Sequence, residues 1–284
     1  MSAVLLDRAG RSPFGFARGW PATAVIAVGV LGFLVLVALL GPLIRPHDPD
    51  TVDLFNAYAP SSGEHLLGTD NSGRDLLSRL IAGAVPSLLG PLLLVSVATT
   101  VSVVLALTAA WFGGWVDTAI ARTLDVLLAL PGLLVAIIVA AVFGASLTTA
   151  ALALSIAYVP FICRVLRAEA LRERRQPYVH AAWLQGMSSV RICLTQILPN
   201  LTPTLVAQVV LALSYAVIDL AAMSFIGLGV QPPTADWGTM VANGQIGVLQ
   251  GQPTEALVAS ACLVLLIVSL GLVGDALGER SERR

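Results

Sequence analysis

Six stretches of roughly 20 or more apolar residues, with scarcely a charge among them, run through the chain at about 22–44, 85–110, 123–143, 146–166, 201–226 and 255–275. A helix needs about 20 such residues to cross the ~30 Å hydrocarbon core of a bilayer, where the chain must satisfy its own backbone polar groups. An all-α integral membrane protein with about six transmembrane helices is therefore expected. Proline and glycine interrupt several stretches, which membrane helices tolerate better than soluble ones do. The first stretch follows Arg8, Arg11 and Arg18 as a signal peptide would. Its length exceeds the roughly 7–15 residues of a signal h-region and no small-residue cleavage site follows, so it reads as an uncleaved anchor.

Composition agrees and excludes several activities. Of 284 residues 57% are hydrophobic and 12% charged, against about a quarter charged in a soluble domain. All 16 basic residues are Arg. Without a lysine the chain cannot carry a P-loop or form a Schiff base, so ATP-driven work would need an ATPase on another polypeptide. Cys163, Cys193 and Cys262 are odd in number and widely spaced, and read as small buried hydrophobes. His47, His65 and His180 are equally scattered, so no metal site is expected, and no Ser/His/Asp or paired-carboxylate pattern suggests a catalytic site.

Arginine placement sets the expected orientation. Thirteen lie in the N-terminal tail, the 111–122 turn, the 164–191 region and the C-terminal tail (Arg280, Arg283 and Arg284). The other side holds Arg45, Arg74 and Arg79 among a cluster of acids. The positive-inside rule then places both termini in the cytoplasm, as an even number of spans requires. The expected layout is a cytoplasmic tail over 1–21, a membrane domain over 22–275 and a second cytoplasmic tail over 276–284. The long connections are 45–84 and 227–254 outside and 167–200 inside.

The inner connection reads Tyr178-Val179-His180-Ala181-Ala182-Trp183-Leu184-Gln185-Gly186, then nine residues, then Gln196-Ile197-Leu198-Pro199-Asn200. The spacing predicts a short helix with small residues on one face and Gly186 as its left-handed stop. A second helix, capped by Ser188 or Ser189, runs to Pro199, where the chain turns into the fifth span. Flanked by Arg172, Arg174, Arg175 and Arg191, this is a docking knob. Outside, His65-Leu66-Leu67-Gly68-Thr69-Asp70-Asn71-Ser72-Gly73-Arg74-Asp75 forms a polar, glycine-bearing turn. A helix predicted to lie in the outer interface follows, with Leu76, Leu77, Leu80 and Ile81 on a stripe opposite Asp75, Ser78 and Arg79. Loop and helix serve as a lid, as a docking surface, or as a purely structural turn. A third segment reads Met223-Ser224-Phe225-Ile226-Gly227-Leu228-Gly229, then Gln231-Pro232-Pro233-Thr234-Ala235-Asp236-Trp237-Gly238.

These three segments resemble, in order, signatures of the dipeptide/oligopeptide/nickel permease family of ABC importers. The inner loop is similar to the family's E-A-A-x-x-x-G-x9-I-x-L-P loop at Ala181, Ala182, Gly186, Leu198 and Pro199, and departs from it at His180, where Glu is usual. Pro199-Asn200 looks like the peptide and nickel branch. The outer turn resembles H-x-L-G-T-D-x-x-G-R-D, and the third segment S-F-L-G-L-G-x-x-P-P-x-x-x-W-G. The resemblance implies a type I ABC importer permease fold and a non-catalytic pore subunit of the bacterial plasma (inner) membrane. Tyr178, His180, Ala181, Ala182, Gly186, Leu198, Pro199 and Asn200 would couple it to the ATPase. Gly68, Thr69, Asp70, Gly73, Arg74 and Asp75 would gate the outer side or meet a binding protein. The implied partners are a homologous second permease, two ATPase subunits or domains that bind ATP and Mg, an extracellular or periplasmic substrate-binding protein and the lipid bilayer. No cofactor on this chain and no nucleic acid is implied.

Charges inside the spans complete the list. An acid in hydrocarbon costs about 2.5–3.5 kcal/mol and is usually functional or paired. Asp219, near the outer end of the fifth span, is read as a pathway residue or as half of an intersubunit pair with an Arg. Asp125 is read as a local partner of Arg122. Short peptides are the expected cargo, with nickel or another small solute as the alternative. An ion-coupled secondary transporter would need intramembrane relays and an internal repeat.

Overall fold

The computed structural model describes residues 21–282, with side chains described to Glu279. The tail arginines Arg8, Arg11, Arg18, Arg280, Arg283 and Arg284 fall outside the described side chains. The described residues are helical throughout, apart from loops and one isolated bridge between Thr69 and Asp75. Five helices are long and apolar enough to cross a membrane, or six when one bent pair counts as a span.

The first span, α1, is Ala22–Ile44. The second, α2, is Leu76–Phe112, a 37-residue helix about 55 Å long. Its early start corrects the reading of 76–84 as a separate interfacial helix: Ser78 and Arg79 are on the buried side, not the solvent side. The Arg79 guanidinium can be buried because it donates to the Pro49 carbonyl (3.1 Å) and lies 3.5 Å from the Asp70 carboxylate.

The span expected at 123–143 is a bent pair, α3 (Gly114–Leu128) and α4 (Gly132–Phe143), meeting at 81°. Pro131 has no N–H to donate and its ring clashes with the preceding turn, so the first helix ends and Pro131 opens the second. Gly132 lies close against α5 (Leu147–Arg174), where an added Cβ would come 2.8 Å from the Ala157 Cβ. Asp125 pairs across the bundle with Arg164 at 2.6 Å and not with Arg122, which corrects the local-pair reading.

The knob helix α6 is Pro177–Leu184. After it, α7 (Ser189–Ile192) continues through a π-helical turn at Cys193–Ile197 into α8 (Leu198–Phe225), with no turn at Pro199. The expected break is absent because the widened turn, with the Leu198 N–H on the Cys193 carbonyl, makes room for a proline that cannot donate. Ser188 occupies the N-cap position of α7 but makes no side-chain cap bond. The connection read as a loop over 227–254 contains α9 (Trp237–Leu249), and the last helix, α10 (Thr254–Glu282), continues past the expected end of its span at 275.

Small residues make the packing possible. One core joins α2, α4, α5 and α8 through Ala98, Ala106, Ala150, Ala153, Ala216 and their neighbours, and alanine seams let membrane helices approach closely. The Ser102 hydroxyl donates to its own helix at Ala98 (2.7 Å) and lies 3.1 Å from the α5 carbonyl of Val159. A second core ties α1, the start of α2, α9 and α10 together around Trp237 and Met240. A third sits beneath α6. By contrast α1 turns Ile26, Phe33, Leu39 and Leu43 outward, a surface suited to lipid or to another membrane subunit.

Candidate functional site

The α6 end of the bundle is built from three helices. Glu173 near the end of α5 accepts from the Tyr178 hydroxyl, and the Asn200 amide of α8 donates to that same hydroxyl oxygen (2.7 Å) and to the Gln196 carbonyl (3.0 Å). Burial, reinforced by the Glu173 carboxylate, raises the Tyr178 phenol above its ordinary value, so it stays a neutral donor. The Gly186 N–H bonds to the Trp183 carbonyl (2.9 Å) and the Met187 N–H to the Ala182 carbonyl (3.2 Å). With Gly186 at φ +81° this is the Schellman closure expected of a glycine stop. Arg174 donates to the Ala110 carbonyl at the end of α2 (2.8 Å) and lies over the Trp111 ring.

One expectation about this end is corrected. Ala182 does not share an outward small face with Ala181: it is buried with Val179, Leu107, Ile192 and Ile197 of this chain's own core. Ala181, His180 and Pro199 are exposed, Leu198 packs at the core's edge, and Trp183 and Leu184 stand 61% and 80% exposed. The outward surface is thus mixed, with two large apolar side chains held on a short helix.

The opposite end is closed on itself. Asp70, fully buried, accepts from the backbone N–H groups of Ser72 (2.8 Å) and Arg74 (2.9 Å) and from Arg74 Nε (2.7 Å). The Thr69 hydroxyl donates to the Asn56 carbonyl and accepts from the Ala59 N–H. Gly68 and Gly73 have φ +78° and +74°; at Gly73 an added Cβ would come 1.7 Å from the Asp53 carbonyl oxygen. Asp75 caps α2 by accepting from the Ser78 N–H (2.8 Å). Burial pushes its carboxyl up, but bonds from Ser78 and His65 outweigh that and hold it below its ordinary value.

This turn faces the third sequence segment across a cavity of about 480 Å³, lined by Asn71, Arg74, Phe225, Gln231, Thr239 and Asn243 among others. Asp236, which sequence reasoning passed over, organises the far wall. Buried, it accepts from the Ser87 hydroxyl (2.6 Å) and caps α9 through the Thr239 N–H (3.3 Å), while Trp237 Nε1 donates to the Leu80 carbonyl (2.9 Å). An acid three residues ahead of Thr239, after Pro232-Pro233, is an N-cap signal the sequence offered.

Asp219 lies on α8 facing α5, where it accepts from the Tyr158 hydroxyl (2.7 Å). Among the described residues no cation stands within 4.0 Å of it. The histidines are not scattered as expected: the His47 and His65 rings lie 5.0 Å apart, beside Asp75.

Residues 102–284 match the family model of the binding-protein-dependent transport system inner membrane component, and residues 22–60 that of the N-terminal TM domain of oligopeptide transport permease C. The chain is 37% identical to the probable D,D-dipeptide transport system permease protein DdpC of Escherichia coli, over 91% of this chain and 86% of that one. It is 36% identical to the di/tripeptide transport system permease protein DppC of Pseudomonas aeruginosa, over 88% and 86%. It is 30% identical to the nickel transport system permease protein NikC of E. coli, over 90% and 92%.

Proposed function

Because the chain belongs to the family of binding-protein-dependent transport system inner membrane components, we propose that it is the pore-forming, non-catalytic subunit of an ATP-driven importer whose cargo is dipeptides or oligopeptides. The observation that carries the mechanism is the α6 knob. A short helix projects Trp183 and Leu184 into the surroundings while Tyr178, Glu173 and Asn200 bind its root to α5 and α8. Those two helices also hold the Tyr158–Asp219 pair. A push on α6 is therefore delivered to the helices that carry Asp219, which is what alternating access driven from outside the chain requires.

In this reading the knob, the tails and the 167–200 connection lie in the cytoplasm, and 45–84 and 227–254 lie outside. Two ATPase subunits or domains, with ATP and Mg, dock on the knob. A homologous permease completes the pore, and a substrate-binding protein delivers cargo at the opposite end. Peptide cargo is preferred over nickel because relatives named for dipeptide or peptide transport stand at 31–38% identity, and the nickel permease named above at 30%.

The test is uptake of labelled dipeptide into proteoliposomes holding this chain with its partner permease, ATPases and binding protein. Uptake should need both ATP and the binding protein, and Asp219→Asn should reduce it while subunit content stays unchanged. Uptake driven by an ion gradient without ATP would assign the chain to another transport class. Full uptake by Asp219→Asn would remove that residue from the pathway.

A further inference from the structure

At the end of the bundle away from α6, three residues from separate parts of the outer connection converge. His47 follows α1 directly, His65 opens the glycine turn, and Asp75 caps α2. Their ligand atoms lie within 4.8 Å of one another. His65 Nδ1 is 3.1 Å from Asp75 Oδ1, and His47 Nδ1 is 3.9 Å from Asp75 Oδ2. Two donors held about 2.0–2.1 Å from a tetrahedral metal are about 3.3–3.4 Å apart, so the two measured separations bracket that edge.

Two further observations point to an occupant. The Asp75 side chain is only 2% exposed and, among the described residues, no guanidinium lies within 4.0 Å of it, so its charge is buried with histidine as the available counter-charge. His47 Nδ1 is itself buried and has no hydrogen-bond partner. A single cation would satisfy both at once.

We propose that His47, His65 and Asp75 form a binding site for a divalent transition metal of the zinc class, fastening the end of α1 to the start of α2. Two imidazoles and one carboxylate suit Zn²⁺ and its borderline neighbours; Mg²⁺ and Ca²⁺ prefer oxygen donors alone. The supports of the ligands are present. The His47 backbone N–H donates to the Ser78 hydroxyl (3.0 Å) and the Ser78 backbone N–H donates to the Asp75 carboxylate (2.8 Å), so the same serine holds the His47 main chain and the Asp75 side chain in place. With the His47 and His65 side chains 37% and 18% exposed, an ion has a path in and a fourth position open to water.

The experiment uses the full chain in detergent, purified on a tag without histidine, stripped with a chelator and desalted. Zn²⁺ titrated by calorimetry should bind with one equivalent, and Co²⁺ in its place should give the visible d–d bands of a site of low coordination number. His47→Gln, a side chain with no hydrogen bond to lose, should weaken Zn²⁺ binding at least tenfold and abolish the Zn²⁺-dependent rise in melting temperature. His180→Gln, at the other end, should change neither. Substoichiometric binding, or equal affinity in wild type and His47→Gln, overturns the site. So does a chain in which the two imidazoles bind protons but no metal.

Discussion

The two ends of this bundle solve opposite problems with similar materials. Both carry a glycine in the left-handed region, a helix start and a cluster of polar side chains. At the 45–84 end the polar groups bond inward: Asp70, Thr69 and Arg79 are buried, and each finds its partners within the connection. At the 167–200 end the polar groups fix the root of α6 and leave its apolar tip outside. The first arrangement is a closed plug whose residues hold one another. The second is a handle, and its side chains have no intramolecular task to explain their exposure.

If that contrast is right, substitutions at the plug damage stability, and those at the tip of the handle damage only its use. The largest effect is expected from Asp70→Ala. It leaves the buried Arg79 with the Pro49 carbonyl and the exposed Asp50 carboxylate at 3.8 Å, and removing one partner of a buried ion pair costs about 3–5 kcal/mol. Thermal unfolding in detergent should show it, with loss of assembled complex. Gly73→Ala comes next. Its Cβ meets the Asp53 carbonyl in a backbone that cannot yield easily, for about 3 kcal/mol from overpacking and the positive φ together. Gly186→Ala has the same φ problem but nothing within 4 Å of the new methyl, so it should cost only about 1 kcal/mol. A Gly73→Ala chain as stable as Gly186→Ala would erase the distinction between plug and handle.

The spans were legible because hydrophobic burial adds residue by residue, and a run of apolar side chains needs no knowledge of its neighbours. What was not legible depended on distant partners. Arg79 read as solvent-facing because its acceptors, Pro49 and Asp70, lie on a loop whose path the helical stripe does not encode. Asp125 was assigned to the nearest cation in sequence, whereas the fold supplies Arg164 from another helix. The meeting of His47 with His65 likewise depends on how the 45–75 loop returns to α2. The placing of Ala181 and Ala182 on one face was not forced: adjacent helical residues point about 100° apart, and on a short helix packed along one side Ala182 is buried while Ala181 is exposed.

The smallest stability effect and the clearest loss of function should coincide at Leu184. Its side chain is 80% exposed and lies in the last turn of α6, outside the core that holds Ala182. Leu184→Asp should therefore shift unfolding by less than about 0.5 kcal/mol, the range of ordinary surface changes. If Leu184 and Trp183 instead fill an apolar groove on an ATPase, a carboxylate placed there is buried without a partner, and binding suffers out of proportion to stability. Pull-down of the ATPase by the variant should fall about tenfold or more, equivalent to about 1.4 kcal/mol or more of binding energy, and binding-protein-stimulated ATP hydrolysis should fall with it. Ala182→Arg is the contrasting control: it disrupts this chain's own packing and should lower the melting temperature as well as the pull-down. A Leu184→Asp chain that keeps the ATPase and full stimulation would show that the exposed apolar tip is not where force enters, and the coupling contact would then have to be sought along α7 and the π-helical turn after it, where Val190 and Leu194 are the next exposed apolar side chains.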